Sequence, residues 1–169
     1  MELREAVRES HTRAEQTALS QLMITGGMSK QLYAAFLKNM LEVYAELERT
    51  DTIKKIEVLR CSLILHDIDS FEVKHTEIAP EVKNYVNYLS ALSEKDRWAH
   101  IYVHYLGNMY GGQMIGKSLP GPHAHLKFEN LKDCIGYVRS NITDISHDEA
   151  NAAFEWTMKI YDDIHRLFG

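Results

Sequence analysis

The segment YLGNMYGGQMIGK, residues 105–117, imposes the strongest local constraint on this 169-residue chain. It is apolar and long enough for a helix, yet Gly107, Gly111, Gly112 and Gly116 fall inside it. A glycine within a helix costs about 1 kcal/mol relative to alanine. Four together imply that something needs the backbone bare at that place. Two occupants suit a stripped helix face: a second helix packed closely, or a flat ligand. Gly107 and Gly111 serve either one, while the adjacent pair Gly111–Gly112 favours the planar ligand. Glycines here also permit a kink.

The rest of the chain reads as helix. Three prolines and nine glycines, against abundant Leu, Ala, Glu and Lys, point to an all-α fold. The length suits one compact domain over 1–169, built as a helical bundle. Spacing predicts a first helix over 2–20, with Leu3, Val7, His11, Ala14 and Ala18 on its apolar stripe. TGGMSKQ (25–31) breaks the chain, with Ser29 as N-cap of a helix over 30–50. That helix carries Tyr33, Phe36, Leu37, Met40, Leu41, Tyr44 and Leu47 on one face. A third helix is expected over 52–67, followed by the irregular stretch DIDSFEVKHTEIAP. Pro80 either opens the next helix or interrupts the approach to it. Helices are expected over 81–92, with Val82, Tyr85, Val86 and Leu89 inward, and over 94–118. After the turn SLPGPHAH come helices near 127–141 and 147–167.

A formal charge of −5 leaves no basic stripe for phosphates and excludes a nucleic-acid binder. It still allows a locally positive pocket for a small anion. Cys61 and Cys134 match no disulfide or metal spacing, so a reducing, cytoplasmic setting is expected. MELREAVRESHTRAEQ is too charged for a signal peptide, and no run reaches the ~20 apolar residues of a membrane span. The spacing of Gly107/Gly111 and Gly112/Gly116 is that of a membrane dimerisation face. His100, His104, Asn108, Gln113 and Lys117 within or beside it rule that out.

On the first helix, His11 faces inward in this reading, with Glu15 four residues on and Arg4 seven back. At that spacing Glu15 can accept a hydrogen bond from one imidazole nitrogen and leave the other free. A metal-ligating histidine needs such support. A lone histidine on an apolar face is also often a plain core residue, and this helix alone leaves both readings open.

Together these residues carry a resemblance. ESHTRAE (9–15), with Arg4 ahead of it, resembles the proximal helix of heme oxygenases. YLGNMYGGQMIGK is similar to the distal helix of that family, a Tyr-Leu-Gly-Asp stretch followed by Gly-Gly-Gln. LYAAFLKNMLEVYAELE (32–48), RCSLILHDI (60–68) and DEANAAFEWTMKIYDDI (148–164) resemble further helices in collinear order. The resemblance implies heme held between the two helices, as both cofactor and substrate. His11 would be the axial iron ligand and Glu15 its partner. Gly107, Gly111 and Gly112 would form the distal wall, and Arg4, Tyr102, Arg139 and Lys132 would hold the propionates. The implied reaction opens the porphyrin with O2 and an external electron donor, giving biliverdin, carbon monoxide and iron. It also implies a redox partner such as a ferredoxin or a reductase.

Two positions depart from the family pattern. Asn108 stands where many members have an aspartate, and His104 where some have an arginine. An asparagine cannot carry or return a proton, so His104, with an ordinary pKa near 6.5, is expected either to shuttle protons in its place or merely to face another helix. Tyr110, beside the glycine pair, narrows the pocket or points its hydroxyl at the distal network. Shortened loops near 68–80 and after 141 allow an exposed heme edge or a second subunit in a homodimer. A non-catalytic heme carrier or sensor is the alternative function. A thiaminase-type hydrolase would need a nucleophilic cysteine in a polar pocket, which neither Cys61 nor Cys134 has. His66, His75, His123, His125, His147 and His165 read as scattered surface or loop residues, and Met40, Met109 and Met114 as core fillers.

Overall fold

The computed structural model describes residues 1–72 and 76–169. His75 lies outside them. Every regular element among the described residues is helical.

The expected first helix is three pieces: α1 (Leu3–Ala6), α2 (Arg8–Glu15) and α3 (Ala18–Thr25). Val7 leaves helical geometry at φ −103° and ψ 2° while its side chain is buried. Thr17 is extended, and its hydroxyl accepts the Ser20 amide at 3.3 Å to start α3 afresh. These two breaks let α2 and α3 each settle on the last helix of the chain. Gly26, left-handed at φ 80°, ends α3.

α4 (Lys30–Arg49) begins where expected, with the Ser29 hydroxyl accepting from the Leu32 amide at 3.1 Å. Its apolar face is buried throughout, apart from half-buried Leu41. Each large side chain so buried contributes roughly 1.5–3 kcal/mol. The predicted helix over 52–67 is only a 3-10 turn at Ile56–Val58 and then α5 (Cys61–Asp69). Arg60 is the reason. Its buried guanidinium gathers the carbonyls of Glu57, Val58 (3.0 Å), His125 (3.0 Å) and Lys127 (2.9 Å) and stacks on Phe128. Carbonyls 57 and 58 are thereby turned away from a helical ladder, and Glu48 caps the Arg60 and Cys61 amides at 2.8 and 3.2 Å.

Pro80 opens α6 (Pro80–Ser90), with Val82, Tyr85 and Leu89 buried and Val86 half-buried. α7 (Glu94–Ile101) runs through one wide π-helical turn, Tyr102–Leu106, into α8 (Gly107–Gly116). The irregularity in this long helix therefore precedes the glycine pair. A loop with a 3-10 turn at Ala124–Leu126 leads to α9 (Leu131–Ser140), which starts after Asn130 at φ 52°. α10 (His147–Phe168) closes the fold and packs on α2, α3, α4, α6 and α7. One hydrophobic cluster runs through these contacts. Among the described residues, no helix is long and apolar enough to cross a membrane.

Candidate functional site

The four glycines of α8 divide between two faces. Gly107 and Gly111 are one turn apart, and a Cβ added at Gly107 would meet nothing within 4 Å. One at Gly111 would meet only Ile115 Cδ1, at 3.7 Å. Tyr110 and Met114 share this open face and stay 54% and 79% exposed. Met114 is thus not the core filler that its spacing suggested, whereas Met40 and Met109 are buried. Gly112 and Gly116 turn the other way. A Cβ at Gly112 would lie 3.2 Å from Leu126 Cβ and 3.3 Å from its carbonyl oxygen, and one at Gly116 2.8 Å from the His123 ring. The adjacent glycines are not redundant: Gly111 keeps one face bare, and Gly112 lets the 118–126 loop close against the other.

His11 does not lie on the buried stripe of α2. Val7, Ser10 and Ala14 take the inward positions, and Ser10 Oγ donates to Asn151 of α10 at 2.7 Å. His11 stands about 100° round the helix from Ser10, with its side chain 57% exposed and edge-on to Phe154 at 5.7 Å. Glu15 Oε1 lies 3.4 Å from His11 Nε2, the pairing that the spacing implied, and leaves Nδ1 free.

Cations gather near Tyr102, in the π-helical turn. Burial pushes its hydroxyl pKa up, while the charges of Arg139 and Arg4 pull it down and Tyr110 adds to the rise. The Arg139 guanidinium sits over the Tyr110 ring at 5.6 Å from its centroid. Tyr110 therefore points toward α9 and not into the interior. The charges of Arg4, on α1, and of Arg139, on α9, thus both reach Tyr102 in the π-helical turn. Lys132 is exposed two turns before Arg139 on the same helix, about 10 Å along its axis.

The family model for heme oxygenase matches residues 1–131. The chain belongs to the heme oxygenase family. Heme oxygenase 2 of Rattus norvegicus is 25% identical over 96% of this chain, which spans 64% of the rat protein's length. The heme oxygenase of Rhodella violacea is 25% identical over 99% of this chain and 87% of its own. The crystal structure of heme oxygenase-1 from the cyanobacterium Synechocystis in complex with heme superposes with a TM-score of 0.84 at 22% identity. That match covers 98% of this chain and 91% of the other. Heme oxygenase from Leptospira interrogans gives 0.80 at 23% identity, over 95% and 96% of the two chains. These structures share the all-α heme oxygenase fold with this chain.

Within this heme oxygenase fold, Asn108 and His104 are linked through Tyr44 rather than side chain to side chain. Asn108 Nδ2 donates to the Tyr44 hydroxyl at 2.7 Å, and Tyr44 in turn donates to the backbone carbonyl of His104 at 3.4 Å. The His104 imidazole is buried, with Nε2 2.8 Å from the Tyr85 hydroxyl. Burial, helped by neighbouring His100, pulls its pKa down to about 3. The ring faces Tyr85 of α6, in surroundings that disfavour its charged form.

Several residues that position α8 and the loop packed against it were not singled out from sequence. Asp67 accepts from the amides of Ala124 (2.9 Å) and His125 (3.0 Å), and its Oδ2 lies 2.7 Å from His125 Nδ1. This docks the loop whose Leu126 meets Gly112. His125, read as a solvated loop residue, is buried. Its partner is 58 residues away, and the only signal was the aspartate at the end of RCSLILHDI. Both cysteines are poor nucleophiles, because burial pushes the Cys61 thiol up to about 12 and raises that of Cys134.

Proposed function

We propose that the chain is a heme-degrading oxygenase that opens the porphyrin with O2 and reducing equivalents to give biliverdin, carbon monoxide and iron. The observation carrying this reading is the open face of α8, where Gly107 and Gly111 leave the backbone bare and Tyr110 and Met114 stand exposed. Large apolar side chains left in solvent on a stripped helix face suit a flat apolar ligand. Family membership supplies the ligand's identity.

The residues fit that group. Among the described residues no cluster of three or more His, Cys, Asp or Glu side chains can hold a metal ion. A metal bound at His11 would therefore bring its other ligands with it, as heme does. His11 would be the axial ligand, with Glu15 orienting its ring and raising its basicity. Arg4, Tyr102, Arg139 and Lys132 would hold the propionate carboxylates, with Arg offering the bidentate geometry that carboxylates favour. Bound heme would supply the iron that activates O2 beside the porphyrin edge. Gly107 and Gly111 would let backbone come close on the distal side, restricting where oxygen can reach. With its amide donated to Tyr44, Asn108 keeps one acceptor oxygen for a distal water. Electrons would come from an external donor, a ferredoxin or a reductase, in the cytoplasm; a homodimer would cover any exposed heme edge.

A specific observation favours the second reading, a heme carrier or sensor. Asn108 is neutral and pinned to Tyr44, and His104 does not protonate near neutral pH. One experiment separates the two. Purified protein is mixed with one equivalent of hemin and then given ascorbate in air with catalase present. A Soret band that forms and decays into the broad red absorption of biliverdin supports the oxygenase. A Soret band that forms and persists leaves the carrier or sensor.

A further inference from the structure

Behind the distal helix, four side chains form an unbroken hydrogen-bonded line that the reading above does not use. Glu149 Oε1, in the first turn of α10, lies 2.8 Å from His100 Nε2. His100 Nδ1 is 2.6 Å from the Tyr85 hydroxyl, which is 2.8 Å from His104 Nε2. His100, Tyr85 and His104 are buried, and only Glu149 reaches the surface, with 17% of its side chain exposed. Tyr88 also donates to Glu149 Oε1, at 2.7 Å.

We propose that Glu149 sets the tautomer of His104 through His100 and Tyr85, so that His104 Nδ1 is held as a bare hydrogen-bond acceptor. The reasoning is a count of protons. A neutral imidazole carries one N–H and a tyrosine one O–H. A carboxylate only accepts, so His100 places its hydrogen on Nε2 and leaves a lone pair on Nδ1. Tyr85 must then donate to that lone pair. Its oxygen, having spent its hydrogen, accepts from His104 Nε2–H. Nδ1 of His104 is left unprotonated, and among the described residues it has no hydrogen-bond partner. The opposite polarity would set a nitrogen lone pair against the carboxylate.

The π-helical turn and α8 connect this line to Asn108 through the backbone of His104. His104 is one turn ahead of Asn108 and shares Tyr44 with it, through the Asn108 amide and the His104 carbonyl. Asn108 contributes one uncharged acceptor; His104 Nδ1 contributes a second, with a fixed direction, able to orient a water by its O–H. Glu149 is then a positioning residue acting from the surface through two others. The catalytic meaning of this rests on the proposed function, but the tautomer chain does not.

Nitrogen-15 NMR of the histidine rings in heme-free protein near pH 7.5 tests it directly. In the wild type both His100 and His104 are expected as Nε2–H with unprotonated Nδ1; a His104 proton on Nδ1 overturns the proposal. Glu149→Lys offers a donor in place of the acceptor, and His104 should move to the Nδ1–H form although residue 149 does not touch it. Tyr85→Phe should leave His100 as it was and release His104. An unchanged His104 tautomer in either folded variant overturns the coupling. Loaded with hemin and reduced by ascorbate, Glu149→Lys should degrade heme several-fold more slowly with its Soret band unaltered. A wild type that binds hemin but never degrades it would defeat the oxygenase reading, and the heme-free spectra would still decide the tautomer chain.

Discussion

Gly112 presents its bare side to Leu126, so close that an added Cβ would lie 3.2 Å from the leucine Cβ and 3.3 Å from its backbone oxygen. Gly107, five residues earlier, faces nothing within 4 Å. The same substitution should therefore have opposite effects at the two positions. Gly112→Ala should destabilise the heme-free protein by about 1–3 kcal/mol, since the Leu126 backbone has to shift. Gly107→Ala should stabilise it by up to about 1 kcal/mol through helix propensity and weaken hemin binding. Thermal melts and hemin titrations of both variants check the pair; equal melting shifts would contradict it.

His11→Ala should abolish the Soret spectrum of histidine-ligated heme and leave the stability of the heme-free protein within about 0.5 kcal/mol of wild type, because the ring is largely exposed. Added imidazole should restore the spectrum. A normal Soret band in the variant without imidazole would remove His11 from the ligand role.

Protonation of the buried histidines should erode stability before the carboxylates titrate. His104 has a folded pKa of about 3, and that of His100 is also lowered, chiefly by burial. Both folded values lie below the unfolded value near 6.5. The unfolded chain thus binds more protons in between, and stability present above pH ~6.5 is lost as pH falls toward the folded values. The slope reaches at most about 1.4 kcal/mol per pH unit for each ring. Denaturant melts from pH 7.5 to 4.5 should show the decline, and His104→Gln should flatten it.

Asp67 should govern a separate, more acidic window. Burial opposes its charge, but hydrogen bonds from the His125 ring and from the His125 and Ala124 amides prevail and hold its pKa below the usual carboxylate value. Its contribution is complete above about pH 4 and disappears as pH falls through the folded pKa. Asp67→Asn should cost about 1–3 kcal/mol at neutral pH. It should also speed amide hydrogen exchange in 123–126, whereas undisturbed exchange there would mean that the loop is held by other contacts.

Asn108→Asp should turn the Tyr44 hydroxyl from the His104 carbonyl toward the new carboxylate. Ascorbate-driven loss of the Soret band should accelerate several-fold. Unchanged turnover would mean that the asparagine carries no cost in proton supply.

What the sequence revealed was local, and what it concealed was set at a distance. The buried face of α4 follows directly from its spacing, as do the cap at Ser29 and the proximity of His11 to Glu15, while Pro80 took the first of its two readings by opening α6. The break at Thr17 has a local signal in a hydroxyl three residues before Ser20, but the apolar stripe runs on across it. Residues 52–60 look α-helical by pattern and hold only a 3-10 turn, because Arg60 draws carbonyls 57 and 58 to a guanidinium that also binds 125 and 127. The burial of His104 depends on Tyr85, nineteen residues away, and the purpose of Gly112 on a loop leucine. No periodicity within one helix contains either fact.

The π-helical turn at Tyr102–Leu106 has a consequence for how this chain can vary in length. A π-helical turn is an α-helical turn holding one surplus residue. Deleting one residue from 102–106 would restore regular winding while leaving α8 in the same phase relative to α7. The face of Gly107 and Gly111 would stay where it is, and Gly112 would still meet Leu126. Deleting a residue from the regular turns of α7 or α8 would instead rotate everything beyond it by about 100° and carry the wall away. The wide turn is thus where this long helix can give up a residue and keep its wall.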